Sequence, residues 1–200
     1  MTRKPGRQPR SANQIEDTRA KIAAHALKLF QTEGYASVSI RRLAKEAGCA
    51  PMTIYAHFEG KIDILQHLWS DVLQTVFKQI RSDIKAGKTA SERLIIASQS
   101  FVKYWLIHPE HFRLVFMSGD INRPDVSAFI QDDATLKHFD FFSDLVAAAL
   151  TDDDDGLKIK ADALICSLIG IVFCKSTIAD FPWTNEDPLI EVVIKSLIAK

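Results

Sequence analysis

Apolar residues recur at helical spacing along nearly the whole chain of 200 residues. Ile40, Leu43, Ala44 and Ala47, for example, fall at positions i, i+3, i+4 and i+7, which share one face of an α-helix. A sustained alternation of apolar and polar residues, the pattern of a half-buried strand, occurs nowhere in the sequence. The pattern therefore predicts an all-α protein.

Signals for helix starts and ends divide this pattern into separate elements. Gly34 and Gly48 follow apolar helical stripes as typical C-terminal stops, and Ser39 precedes a short stripe as a candidate N-cap. Thr89 and Glu92 have the T-x-x-E spacing of a capping box. Further helices are predicted from residue 61 to near residue 87, and over 129–150, 157–181 and 189–200.

The segment Ile40–His57 has the layout of a helix-turn-helix. Gly48 supplies the turn, Ala44 is the small residue that lets two short helices cross, and Pro51 suits the first position of the second helix. We interpret Cys49 as packing in the angle between them, because free cysteine behaves as a small buried hydrophobe. In such a motif the second helix enters the major groove of DNA.

Composition places the chain among ordinary globular proteins, with 47% hydrophobic and 25% charged residues. Its three cysteines include no C-x-x-C pair, which argues against a zinc ribbon or a disulfide framework and fits a reducing compartment. The N-terminus has no signal-peptide pattern, and charges interrupt the apolar stretch 161–181. We therefore expect a cytoplasmic protein with no membrane segment.

The net charge of zero hides a strong asymmetry. Residues 1–61 contain eleven lysines and arginines against five acidic residues, so the remainder of the chain is acidic. A basic end on an acidic body is typical of a protein that meets a polyanion with that end. Residues 1–13 are predicted to be a flexible arm, which enters a minor groove, contacts phosphates without selectivity or makes no contact with DNA. Its basic residues are Arg3, Lys4, Arg7 and Arg10.

Two segments resemble the DNA-binding part of the tetracycline-repressor (TetR) family. They are S-I-R-R-L-A-K-E-A-G at 39–48 and P-M-T-I-Y-A-H-F-E-G-K-I-D-I-L at 51–65. The family's T-[IL]-Y-x-H-F-x-x-K core is matched at Thr53, Ile54, Tyr55, His57, Phe58 and Lys61. With the preceding helix the resemblance covers roughly residues 15–65. One departure is Ala50, where the family usually has a capping serine or threonine, a loss of about 1 kcal/mol of helix stability.

The resemblance implies roles for several residues of these two segments. The family consists of dimers in which a ligand bound by a variable C-terminal bundle alters operator affinity. Tyr55 and Lys61 would contact backbone phosphates, and Arg41 and Arg42 would lie near the phosphates that flank the groove. Pro51 would open the recognition helix, which would present Met52, Thr53 and His57 to the groove. Phe58 is interpreted as a core aromatic.

We accordingly expect three regions: an arm over 1–13, a three-helix DNA-binding domain over 14–60 with its motif at 39–58, and a helical ligand-binding and dimerisation bundle over 61–200. An aromatic-rich set in that bundle is either a packed core or the lining of a site for a small, largely apolar effector. These residues are Phe101, Trp105, Phe112, Phe116, Phe139, Phe142 and Phe173. The segment 101–117 resembles one subgroup of the family, but this resemblance does not indicate which ligand is bound.

No cofactor, metal site or catalytic site is expected. His108 and His111 are three residues apart, but Pro109 interrupts the helix between them, and the acidic run 152–155 fits a solvated turn better than a calcium loop. Motifs of hydrolases, zinc proteases and nucleotide-binding enzymes are absent from the sequence. The alternatives to a regulator are an enzyme without these motifs and a helical adaptor for other proteins.

The sequence thus predicts a non-enzymatic transcriptional regulator, and it favours a repressor over an activator. It would bind double-stranded operator DNA of palindromic sequence as a homodimer, and a small, largely apolar effector would release it. Helices 157–181 and 189–200 are apolar on more than one face and are predicted to form most of the dimer interface.

Overall fold

A computed structural model describes residues 12–117, 126, 133–150 and 156–199. Every regular element within these ranges is a helix, which confirms the predicted fold class. The helices are α1 (Ala12–Glu33), α2 (Ile40–Glu46), α3 (Pro51–Tyr55), α4 (Lys61–Asp83), α5 (Ala90–Ile107), α6 (Pro109–Phe116), α7 (Asp133–Ala149), α8 (Leu157–Thr177) and α9 (Glu186–Ile198), with a 3₁₀ turn at Ile84–Ala86.

The predicted start and stop signals are found where the sequence puts them. Gly34, after α1, has φ +80°, and Gly48, after α2, has φ +65°, a backbone region that side chains with a Cβ rarely adopt. The hydroxyl of Ser39 accepts a hydrogen bond from the backbone N–H of Arg42 at the start of α2. Thr89 and Glu92 form the expected capping box at the start of α5.

Several helix ends differ from the prediction, beginning with α1, which starts at Ala12 inside the predicted arm over 1–13. Helix α8 ends at Thr177 instead of residue 181, and the indole N–H of Trp183 donates to the backbone carbonyl of Ile178 just beyond the helix. Helix α9 begins at Glu186 instead of residue 189, with Asn185 as its N-cap. Pro188 is tolerated there because the backbone N–H groups in the first turn of a helix have no intrahelical partner to lose.

The chain divides into two compact units between Leu68 and Trp69, within α4. In the first unit α2 packs against both α1 and α3. The core of this unit is built from side chains that are at most 2% exposed, among them Ile22, Leu43, Ile54, Phe58 and Ile64. Burial of such apolar surface is what stabilises helices as short as α2 and α3, which would not persist alone in water.

In the second unit α5 is the central helix and packs against α7, α8 and α9. Val102 and Trp105 on α5 are fully buried, as are Val146, Leu164 and Ile190 on the surrounding helices. The indole N–H of Trp69, at the start of this unit, donates to the backbone carbonyl of Leu114 at 2.8 Å. This bond ties α4 to α6 and satisfies a donor that burial would otherwise leave unpaired.

Some expectations lie outside the described residues. They are the basic arm, of which residues 1–11 are not described, and the acidic run 152–155. Within the described ranges, none of the helices is long and apolar enough to cross a membrane.

Candidate functional site

The turn between α2 and α3 sets the angle at which the two helices cross. Leu43 and Ala44 of α2 and Ile54 of α3 are at most 2% exposed, so they fill the space inside this angle. The left-handed backbone of Gly48 reverses the chain, and the N–H of Cys49 donates to the carbonyl of Ala44 at 2.9 Å. The local geometry is that of a helix-turn-helix.

Helix α3 presents one face to solvent. Met52 is 75% exposed and Tyr55 is 51% exposed, while Ile54 between them is buried. Pro51 is exposed, and Thr53 and His57 are partly exposed. Ala50, the N-cap of α3, makes no side-chain hydrogen bond to the helix, because its methyl group has no acceptor. The predicted groove-facing residues are thus accessible on a short, rigidly held helix, as contact with base edges requires.

The two arginines of α2 have different surroundings. The guanidinium of Arg42 lies 2.7 Å from a carboxylate oxygen of Glu33 and 2.9 Å from one of Glu46. Hydrogen bonds with Glu46 and Glu33 raise the pKa of Arg42. Arg41 is exposed and has no ion pair with any described residue. Arg41 is therefore available to a phosphate as it stands, whereas Arg42 joins α1 to α2.

Lys61, at the start of α4, points toward the loop that follows α1. Its ammonium nitrogen lies 2.8 Å from the backbone carbonyl oxygen of Tyr35 and 3.4 Å from that of Ala36. The same nitrogen lies 4.2 Å from the centre of the Tyr35 ring, and burial lowers the pKa of the ammonium group. Because an ammonium group has three donors, two bonds to carbonyls leave one for a phosphate.

The interpretation of Phe58 as a core aromatic fits its 2% exposure. The guanidinium of Arg19, on α1, lies 4.5 Å from the centre of the Phe58 ring, and the ring of His67 lies 5.6 Å from it. Sequence reasoning did not find Arg19 or Tyr35 as partners of motif residues. Arg19 lies in α1 and Tyr35 lies in the loop after it. A motif defined by spacing along α2 and α3 carries no information about contacts from other parts of the chain.

In the second unit six of the seven predicted aromatic residues come together. The ring centres of Phe101 and Trp105 are 5.9 Å apart, those of Trp105 and Phe116 are 5.2 Å apart, and Phe142 lies 5.6 Å from Phe101. These pairs meet edge to face, which is a preferred arrangement for aromatic rings. We call the six residues the aromatic cluster: Phe101, Trp105, Phe112, Phe116, Phe139 and Phe142.

A cavity of about 10 Å³ lies beside the aromatic cluster, and its lining is entirely apolar. Phe101, Phe116, Phe139 and Phe142 contribute to the lining. Space on this scale holds about one water molecule, so the cluster is close to fully packed. Phe173 does not join it, because Val172 turns to the core and the neighbouring Phe173 is left 45% exposed on α8.

Three possible metal ligands converge where α5 meets α6. The nitrogen and oxygen donors of His108, Glu110 and His111 lie within 4.8 Å of one another, and all three residues are partly buried. The hydroxyl of Tyr104 lies 2.9 Å from Nδ1 of His111. The imidazole rings of His108 and His111 stack with their centres 5.2 Å apart. Burial lowers the pKa of His111. Pro109 separates the two helices, as the sequence indicates, yet the structure brings His108 and His111 together with Glu110, which the spacing argument did not predict.

Comparison with known proteins identifies the family. The profile of the family described as "Bacterial regulatory proteins, tetR family" matches residues 22–68, which include both short helices of the motif. An HTH-type transcriptional regulator of Staphylococcus aureus strain USA300 is 30% identical over 161 residues, 79% of this chain and 81% of the relative. The chain belongs to the TetR family. It is a DNA-binding transcriptional regulator of the helix-turn-helix type.

Solved structures share the fold of this TetR-family chain at low sequence identity. The regulator FadR of Bacillus subtilis, in complex with stearoyl-CoA, superposes with a TM-score of 0.74 at 18% identity over 90% of this chain and 97% of FadR. The fatty acid degradation regulator FadR of Bacillus halodurans gives a TM-score of 0.73 at 17% identity, over 96% and 97%. These likenesses show the architecture and leave the effector of this chain open.

Proposed function

We propose that this TetR-family regulator is a repressor that binds a palindromic operator as a homodimer and is released by a small, largely apolar effector. The observation that carries the proposal is the outward face of α3, where Met52 and Tyr55 are 75% and 51% exposed on a helix anchored by buried Ile54. The first unit would read DNA, and the helices from Trp69 onward would serve dimerisation and effector binding. We assign no enzymatic reaction to the chain.

DNA contacts divide by chemistry. Met52, Thr53 and His57 would reach base edges, because they lie on or directly after α3 and remain at least partly exposed. Tyr55, Arg41 and the remaining donor of Lys61 would contact phosphates, which position the helix without selecting a sequence. Arg42 would act on this surface mainly by holding α2 against α1 through Glu33.

The proposed homodimer interface lies on α8 and α9. Leu164, Leu168 and Val172 of α8 are fully buried, yet Phe173 on the same helix is 45% exposed. On α9 Ile190 is buried while Val192 is 67% exposed. Large apolar side chains left exposed on helices that already bury another face are best explained by a partner surface. A second copy is the simplest partner, and a twofold axis then requires a palindromic operator.

The proposed effector site is the aromatic cluster. Trp105 is fully buried, and its indole N–H has no hydrogen-bond partner among the described residues. A buried donor without a partner costs about 1–3 kcal/mol, so a ligand with one acceptor atom in an apolar body would be favoured there. Because the cavity holds only about 10 Å³, the rings of the cluster must separate to admit it. The fold relative FadR, which holds stearoyl-CoA, supports effector binding by this architecture.

Release of DNA requires that the effector bind one arrangement of the dimer better than the other. An effector with equal affinity for the DNA-bound and free arrangements would shift nothing, however tightly it bound. Separation of the rings supplies a physical difference between two arrangements of the bundle. A coupling free energy of about 1–3 kcal/mol would change operator affinity by about 5- to 150-fold.

The proposal is tested by a footprint of the purified chain on its own upstream region, repeated with candidate apolar ligands. Protection of a palindromic site, lost when a ligand is added, supports it. The variant Trp105→Phe removes the unpaired indole N–H while keeping an aromatic ring. It should weaken the response to a ligand and leave the footprint itself in place. A footprint that no ligand disturbs would remove the effector from the proposal and retain operator binding.

A further inference from the structure

An open groove of about 600 Å³ runs along one face of α4 in the second unit. Lys78, Arg81 and Lys85 line it, the last just after the helix, and His138 of α7 contributes a further wall. A volume of this size is in the range of small-molecule sites in proteins. Among the described residues, the lining contains three basic side chains and no carboxylate.

The cations of this groove are spaced as near neighbours. Lys78 and Arg81 are three residues apart on α4, and Lys85 follows in the 3₁₀ turn that continues this helix. Like charges on neighbouring turns of a helix are destabilising. No salt bridge joins any of the three to a carboxylate within the described ranges. An anion in the groove would relieve this repulsion.

Two groups of the groove are held in place before any ligand arrives. The guanidinium of Arg81 lies 4.5 Å from the centre of the Phe141 ring, which fixes its position at the groove wall. The ring of His138 stacks on Phe77 with ring centres 4.5 Å apart. Nδ1 of His138 is buried and has no hydrogen-bond partner among the described residues. The groove therefore has a cation and an imidazole wall that are both held in place by aromatic contacts.

Phe77 connects this groove to the aromatic cluster. It is 2% exposed, and it contributes to the lining of both the cationic groove and the apolar cavity beside Phe101 and Phe142. We infer that the effector is an amphipathic anion, whose carboxylate or phosphate head binds Lys78, Arg81 and Lys85 and whose apolar tail passes Phe77 to enter between the separated rings of the aromatic cluster. This inference rests on the proposed function and narrows its effector to a chemical class.

The test measures binding of defined amphiphiles to the full chain by titration calorimetry. Decanoate and decyl phosphate carry the two candidate heads, decan-1-ol carries the same tail without charge, and inorganic phosphate is the head alone. Decanoate or decyl phosphate should bind at least tenfold more tightly than decan-1-ol. Inorganic phosphate should bind more weakly than both of these amphipathic anions. The stronger of the two anions identifies the head.

Variants separate the groove from general charge. In the double variant Lys78→Gln/Lys85→Gln the preferred anion should bind roughly tenfold more weakly, with decan-1-ol changed less than twofold. Lys103→Gln removes an exposed lysine of α5 that does not line the groove, and it should change anion binding less than twofold. Circular dichroism checks folding, and if the double variant does not fold, Lys78→Gln alone carries the test with an expected loss of about threefold.

The outcomes also distinguish this inference from the proposed function. If neither anion binds better than decan-1-ol, or if the double variant binds the anion as the parent does, the inference is wrong. If decan-1-ol alone releases the operator equally from the parent and the double variant, the effector-released repressor stands and the anionic site fails. If the anion binds through Lys78 and Lys85 but leaves the operator complex intact, the site stands and its regulatory role fails.

Discussion

The ammonium nitrogen of Lys61 lies 2.8 Å from the backbone carbonyl oxygen of Tyr35, a residue 26 positions earlier in the chain. The same ammonium group lies 4.2 Å from the centre of the Tyr35 ring. The start of α4 is thereby joined to the loop that follows α1 by a side chain for which we also propose a phosphate contact. Lys61 has a structural role within the first unit besides the proposed phosphate contact.

Replacement of Lys61 by alanine should therefore have two effects. Loss of the carbonyl bonds and of the ring contact should lower the free energy of unfolding by about 1 kcal/mol, measured by thermal or urea denaturation. Loss of a phosphate contact should weaken binding to all duplexes and reduce the salt slope by about one unit per lost contact in each subunit. Tyr55→Phe should weaken binding to all duplexes without lowering the free energy of unfolding. An altered base preference with an unchanged salt slope would contradict the assignment.

Base preference should depend on the exposed face of α3. Met52→Ala or Thr53→Ala should change the relative affinities for operators that differ at one base pair by about 1–3 kcal/mol for each important contact. Fluorescence anisotropy with a panel of single-substitution duplexes measures this. Ala56→Ser, a small change on an exposed residue just after α3, is the control and should leave the order of affinities unchanged. A uniform loss across the panel would show that neither residue selects bases.

Arg41 and Arg42 form a natural matched pair. Arg41→Gln should reduce the affinity for DNA and its salt dependence with little change in the melting temperature, because this side chain is exposed and has no ion pair with the described residues. Arg42→Gln should lower the melting temperature, because its bond to Glu33 joins α2 to α1 and its bond to Glu46 is an i, i+4 pair within α2. Differential scanning fluorimetry and salt titrations separate the two effects. Equal behaviour of both variants would contradict the distinction.

The proposed dimer is tested at Phe173. A charge at this exposed position, as in Phe173→Glu, should shift the chain from dimer to monomer in light scattering at micromolar concentration, because the carboxylate would have to be buried in the interface. Ile107 at the end of α5 is 60% exposed and lies on neither proposed interface helix. Ile107→Glu should remain a dimer. A monomeric parent chain would refute the interface outright.

The ion pair between Lys175 and Glu186 gives a pH-dependent contribution to stability. The two charged groups are 2.8 Å apart, and the hydrogen bond from Lys175 lowers the pKa of Glu186 below its ordinary value of 4.5. A lowered carboxyl pKa in the folded state stabilises the fold above pH 4.5, and this contribution disappears as the pH falls through the folded value. Lys175→Gln should therefore lower the melting temperature at pH 7 and have a smaller effect near pH 3. Lys195→Gln, which breaks an exposed pair with Glu191, should change little at either pH.

Local signals predicted most of the helical framework. Gly34, Gly48, Ser39 and the Thr89–Glu92 capping box act through bonds and backbone angles within a few residues, so their spacing in the sequence is sufficient. The predicted helix 189–200 starts three residues after the observed start of α9, because a proline, here Pro188, can either precede a helix or lie in its first turn. A proline in the first turn is compatible with a helix, and sequence alone does not separate the two positions.

Contacts between distant parts of the chain were not accessible to the same reasoning. The placement of Phe173 depends on which face of an almost wholly apolar helix turns inward, and periodicity does not decide this when both faces are apolar. The groove of Lys78, Arg81 and Lys85 had a usable signal, three basic residues at positions i, i+3 and i+7 of one predicted helix. Its wall, His138, comes from another helix, and its identification required the fold.

The central claim is that α3 gives this chain a preferred DNA sequence. Repeated selection of bound duplexes from a random pool, followed by sequencing, tests it most directly. The account predicts enrichment of one palindromic sequence with two half-sites, and loss of that enrichment when Met52 and Thr53 are both replaced by alanine. A bound pool whose sequences remain random, although the chain retards DNA at low salt, would contradict it, because phosphate contacts alone would then account for binding.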